Sequence, residues 1–113
     1  MKKINAFLCV FLSLLLAIPA VAQHIDTIEV YSAKMDKKIK NVVVLPSGYD
    51  KSKQFPVIYL LHGYSGHYDT WIKQTKPTLP QEANKWNVIF VCPEGENSWY
   101  WDSPVDPKSQ FET

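Results

Sequence analysis

The chain has 113 residues, with 12 lysines, no arginine and 11 aspartates and glutamates, for a formal net charge of +1. No basic stripe runs through it, so the electrostatic footprint of a nucleic-acid binder is missing. It has no internal repeat and no low-complexity tract.

The amino terminus reads as a leader rather than as part of a fold. Lys2 and Lys3 form a charged start, residues 6–18 are apolar, and Ala20-Val21-Ala22 is an A-x-A cleavage site. That combination is a secretory signal peptide, residues 1–22, with the cut expected between Ala22 and Gln23 and a secreted or periplasmic product. The apolar run is shorter than the ~20 residues a membrane span needs, so no stable membrane anchor is expected. Cys9 lies inside the apolar run and not at the cut, which argues against a lipoprotein. Removing residues 1–22 leaves a chain near −1 whose one cysteine is Cys92. No intramolecular disulfide is then possible, and Cys92, ending an apolar run, reads as a small buried residue.

Residues 25–32 carry Ile25, Ile28, Val30 and Tyr31 and predict a partly exposed first strand. Residues 32–37 are polar and turn-like. Residues 39–45, with Val42-Val43-Val44-Leu45 at their centre, predict a second strand able to pair with the first as a hairpin. Residues 46–53 are a loop by composition.

Residues 57–62 are nearly all apolar and rich in β-branched and aromatic types, which predicts a strand buried on both faces of a parallel sheet. Pro56 stands at its start, where a missing N–H is tolerated. The run then stops in His62-Gly63-Tyr64-Ser65-Gly66. A buried strand ending in a glycine-punctuated turn presents backbone N–H groups at the carboxyl edge of the sheet, where open α/β sheets bind ligands. Such donors suit a developing negative charge. Residues 68–73 and 79–86 predict short helices, and Gln81, Glu82, Ala83 and Lys85 are good helix formers. Residues 88–92 predict another buried strand, stopped by Pro93. Residues 94–113 are a loop of Pro, Asp, Ser and aromatics.

The last two strands flank a helical crossover, so they form a βαβ unit with a parallel pair. A parallel sheet needs cover on both faces, and the helices available are too few. The expectation is the N-terminal part of a larger α/β domain.

Leu60-Leu61-His62-Gly63-Tyr64-Ser65-Gly66 followed by Asp69 and Trp71 resembles the HG turn of α/β-hydrolases. With residues 44–50, 91–95 and 97–104 in this order, the chain resembles the esterase family that includes S-formylglutathione hydrolase (esterase D), tributyrin esterases, feruloyl esterase domains and mycolyltransferases. The resemblance covers residues 25–113. It implies the N-terminal portion of an α/β-hydrolase sheet, in the order 1-2-4-3, ending before the nucleophile elbow. It also implies serine-dependent hydrolysis of small-molecule or carbohydrate esters, acyl or feruloyl, without a cofactor. One half of the oxyanion hole maps to the backbone N–H of Tyr64, with Gly63 making the turn. Trp99, Tyr100 and Asp102 map to a loop that borders the substrate. The tryptophans read equally as packing under that loop, and Asp102 before Ser103-Pro104 equally as a turn residue.

The departure from the family pattern concerns the triad. No G-x-S-x-G is present. Ser65 lacks the second spaced glycine and an identifiable base, so it does not read as the nucleophile. Nucleophile, acid and base are expected beyond Thr113, in the order Ser, Asp/Glu, His. His62 reads as a brace of the turn. His24, His62 and His67 have no metal-ligand spacing. Two other readings stay open: a noncatalytic secreted binding module using the tryptophan-rich loop, and an acyltransferase of the same fold.

Overall fold

The structure is a computed structural model that describes residues 24–113. The proposed leader lies outside the described residues. Four strands form one mixed sheet in the order β1-β2-β4-β3. β1 (His24–Ser32) and β2 (Lys37–Leu45) are an antiparallel hairpin. Its four-residue turn is closed by Asp36 at φ 50°, whose carboxylate accepts the Tyr31 hydroxyl at 2.6 Å. β2 pairs antiparallel with β4 (Ile89–Pro93), and β3 (Val57–Tyr59) pairs parallel with β4. The hairpin, the crossover and the sheet order all agree with the sequence reading.

One helix, α1 (Leu79–Trp86), makes the crossover. Pro80 sits in its first turn, where a missing N–H costs nothing, and Asn87 ends it in the left-handed conformation at φ 52°. Its Leu79 and Ala83 pack on Val42, Val44, Val88, Phe90 and Cys92, which form the core. Burying a valine or phenylalanine there contributes about 1.5–3 kcal/mol. Asn84 ties the helix to the loop after β2 by accepting the Ser47 N–H at 2.6 Å.

Two expectations need correction. The helix expected over residues 68–73 is a π-helical turn, Trp71–Thr75, closed by Lys76 N–H on the Trp71 carbonyl. Pro77 forbids the α region at the residue before it, and Lys76 accordingly sits at φ −147°, ψ 79°. The strand expected over residues 57–62 is shorter and far less buried. Its ladder ends with the Leu60 N–H on the Val91 carbonyl at 2.8 Å, and Val57, Ile58 and Tyr59 are exposed. β3 has a neighbour on one side only. Its composition matches a central strand, but among the described residues its place is an edge.

Candidate active site

Because β3 and β4 run parallel, their carboxyl ends open on the same edge of the sheet. There the turn after β3 meets the segment after β4. Gly66 N–H returns to the Gly63 carbonyl at 3.0 Å. Ser65, the third residue of that turn, has φ 60° while Tyr64 stays at negative φ, the pattern of a type II turn. Glycine is usual at that place. Here Asn97 accepts the Ser65 N–H at 2.8 Å and holds the strained residue.

His62 is buried beneath the turn. Its Nδ1 lies 2.8 Å from the Gly63 carbonyl, and the Gly95 N–H donates to its Nε2 at 2.9 Å. Nε2 therefore carries the lone pair and Nδ1 the proton. In that tautomer the Glu94 carboxylate, 3.1 Å from Nε2, is an electrostatic neighbour and not a hydrogen-bond partner. Burial acts to raise the Glu94 carboxyl. The backbone N–H groups of Glu96 and Tyr68, with smaller help from the neighbouring imidazoles, outweigh it and hold the group below the usual carboxylate range.

The segment after β4 makes a second tight turn. Trp101 N–H bonds the Ser98 carbonyl, and both central residues are left-handed, Trp99 at φ 57° and Tyr100 at φ 58°. This is a type I′ turn built from two bulky residues where Asn or Gly is usual, at a cost of roughly 1–3 kcal/mol each. The turn sends the two rings to useful places. The Tyr100 hydroxyl accepts the His62 N–H at 2.9 Å. Trp99 stacks on Tyr64 with ring centroids 6.5 Å apart. A Cβ on Gly95 would overlap the edge of the Tyr100 ring, so any side chain there forces the ring to shift.

A cavity of about 250 Å³ lies between the two turns, lined by Leu61, His62, Gly63, Tyr64, Glu96, Asn97, Trp99 and Tyr100. The N–H groups around it can be accounted for singly. His62 N–H is held by Tyr100, Ser65 N–H by Asn97, and Gly66 N–H by Gly63. Those of Gly63 and Tyr64, like those of Leu61, Asn97 and Trp99 on the same lining, have no partner among the described residues.

Gly63, Tyr64, Trp99 and Tyr100 thus share one cavity. Asp102 does not line it. Its carboxylate accepts the Glu112 N–H and the Thr113 hydroxyl, at 2.9 and 2.8 Å, and faces Lys34. It borders a second, open hollow of about 620 Å³ with Trp99, Trp101 and Pro104. Ser65 is exposed, and no serine hydroxyl bonds a histidine among the described residues. His24 starts β1, while His62 and His67 lie 6.5 Å apart by ring centroid. Sequence reasoning did not single out Glu94, Gly95 or Asn97. The available signal was positional, since all three follow the strand parallel to the one that carries the turn.

A mixed β1-β2-β4-β3 sheet with an HG turn at its carboxyl edge is the N-terminal part of an α/β-hydrolase fold, and the solved structures below share it. A family model described as Putative esterase matches residues 32–113, and the chain belongs to that family. An acetyl esterase of Caldicellulosiruptor saccharolyticus is 35% identical over 69 residues, covering 61% of this chain and 23% of that protein. A ferulic acid esterase of Anaeromyces mucronatus, solved with ferulic acid, is 29% identical with a TM-score of 0.56, covering 66% of this chain and 29% of the other. An S-formylglutathione hydrolase of Agrobacterium tumefaciens, 16% identical with a TM-score of 0.66, covers 81% of this chain and 39% of its own and attests the fold alone. The chain therefore spans well under half the length of these relatives.

Proposed function

We propose that this chain is the oxyanion-hole portion of an exported serine carboxylic-ester hydrolase. The observation that carries the reading is the pair of unengaged N–H groups, Gly63 and Tyr64, beside a cavity at the carboxyl edge of the sheet. Of the two, Tyr64 is the donor proposed to meet the oxyanion, and Gly63 shapes the turn. An oxygen gaining negative charge in acyl transfer needs preorganised donors of this kind. The nucleophile and its base lie in another part of the full-length enzyme.

Acyl and feruloyl esters of carbohydrates or small alcohols are the substrate class, in keeping with the acetyl esterase and the ferulic acid esterase that the chain resembles. Tyr64 and Trp99 offer a stacked aromatic wall for the acyl group. The open hollow at Trp99 and Trp101 has room for a sugar, for which an aromatic face is a suitable apolar surface. Asp102 frames that hollow by fixing the loop. Export rests on the leader pattern of residues 1–22.

The test uses the full-length enzyme with p-nitrophenyl acetate and methyl ferulate. Tyr64→Pro removes the N–H and is expected to lower kcat about 10²–10³-fold, the effect of losing one oxyanion donor. Tyr64→Phe keeps the N–H and is expected to stay near wild type. Circular dichroism checks that the proline variant is folded. The activity should appear outside the cytoplasm on a polypeptide that begins at Gln23. Equal rates in Tyr64→Pro and wild type would remove Tyr64 from the mechanism.

A further inference from the structure

Resting on that reading, we infer that Tyr100 is a positioning residue that sets the oxyanion turn, with Asn97 as its partner, and is not itself a substrate contact. The turn at 62–66 is held partly from within and partly from outside. β3 ends at Tyr59 and Leu60 makes the last ladder bond. Within the turn, Gly66 N–H to Gly63 O and His62 Nδ1 to Gly63 O are the local bonds. Most of the other fixed points come from the segment after β4, and the Trp71 indole N–H adds one by donating to the Leu61 carbonyl at 3.0 Å. The Tyr100 hydroxyl accepts the His62 N–H, Asn97 accepts the Ser65 N–H, the Gly95 N–H donates to His62 Nε2, and Glu94 accepts the Tyr68 N–H.

Tyr100 and Asn97 thus hold the peptide groups on either side of Gly63 and Tyr64. With the flanking N–H groups engaged, the two between them are the turn's own free donors beside the cavity. The Tyr64 N–H shares its peptide plane with the Gly63 carbonyl, which the turn's own bonds hold. The clamp sets where that plane stands, and a misplacement of ~1 Å can cost on the order of 10²-fold in rate. The fold also keeps costly features that make sense only if Tyr100 must stand where it does. Trp99 and Tyr100 both sit in the left-handed region. The ring of Tyr100 occupies the space that any side chain at Gly95 would need. Strain of this kind persists where the surrounding contacts over-determine it.

Tyr100→Phe in the full-length enzyme keeps the ring and removes the acceptor. We expect kcat to fall about 10- to 100-fold with KM within about two-fold, and Asn97→Ala to do the same. Amide hydrogen exchange reads the clamp without turnover. The His62 amide should exchange at least about ten-fold faster in Tyr100→Phe, and the Ser65 amide in Asn97→Ala, while core amides of β2 stay protected. Unchanged kcat, a loss carried by KM, or unchanged exchange at His62 would each overturn the clamp. The two readings fail separately. A sensitive Tyr64→Pro with an indifferent Tyr100→Phe sinks the positioning role alone. An indifferent Tyr64→Pro sinks the oxyanion reading, and the exchange data still decide whether Tyr100 holds the turn.

Discussion

Cys92 shows how burial alone can decide the chemistry of a side chain. It stands one residue before the end of β4, buried in the core with Val42, Val44 and Phe90. Desolvation pushes its thiol up to about 11 from an ordinary 9.0. The folded state therefore holds the proton more tightly than the unfolded chain does. That contribution to stability is fully present below pH 9.0 and is lost as the pH rises through about 11. The thiolate is the reactive form, so the native protein at pH 8 should not be labelled by Ellman's reagent, whereas guanidinium-unfolded protein should label fully. Rapid stoichiometric labelling of the native state would show that β4 opens. Glu94, a few residues away, follows the opposite course because backbone donors reach its carboxylate before burial can protonate it.

Among the elements, the turn after β4 is the one whose sequence and conformation are most closely coupled. Gly95→Ala would set a methyl group against the Tyr100 ring, and overpacking of this kind costs about 1–3 kcal/mol. In the full-length enzyme, where a domain of roughly 150–250 residues loses about 2–4 °C of Tm per kcal/mol, a drop of a few degrees is expected in a thermal melt. Gly48→Ala meets nothing within 4 Å and should be close to neutral. Equal melts for the two variants would mean that Tyr100 moves aside freely. The strands were legible in the sequence because β-branched runs such as Val42-Val43-Val44 have few alternatives. Pro56 and Pro93 marked edges that the structure respects to within a residue. The HG turn was legible because glycine advertises a turn. The clamp on it was not. Its bonds join residues 32 to 38 positions apart, and nothing in Ser65, Trp99 or Tyr100 as residue types announces a positive φ. The π-helical turn was missed for a similar reason, since the local sequence of residues 68–73 says nothing about which carbonyl Lys76 will choose.

At the scale of the whole molecule, the sheet is covered on one face, while the other is covered beside Ile39 and Asn41 by residues 110–113 and open at β3. α1 and the π-helical turn lie over Val42, Val44, Phe90 and Cys92. Strand alternation puts Val57, Tyr59, Val91 and Val43 on the opposite face, where Val57 is 46% and Tyr59 67% exposed. Leu61, just past β3, is 51% exposed. β3 also has an unpaired outer edge among the described residues, a row of N–H and C=O groups able to template pairing with another chain. Contiguous exposed apolar surface on a sheet face marks a place that another element or chain covers. Residues 23–113 expressed alone are therefore expected to aggregate or to elute as a polydisperse, loosely packed species, read by size-exclusion chromatography and a thermal melt. Val57→Lys and Tyr59→Lys place charge on that face and edge and should shift the species toward monomer. The lysines do not repair the missing cover, so the melt should remain broad. A monodisperse monomer with a sharp transition in the unmodified segment would mean that the sheet closes its open face within these residues, and the account of β3 as an uncovered edge would be wrong.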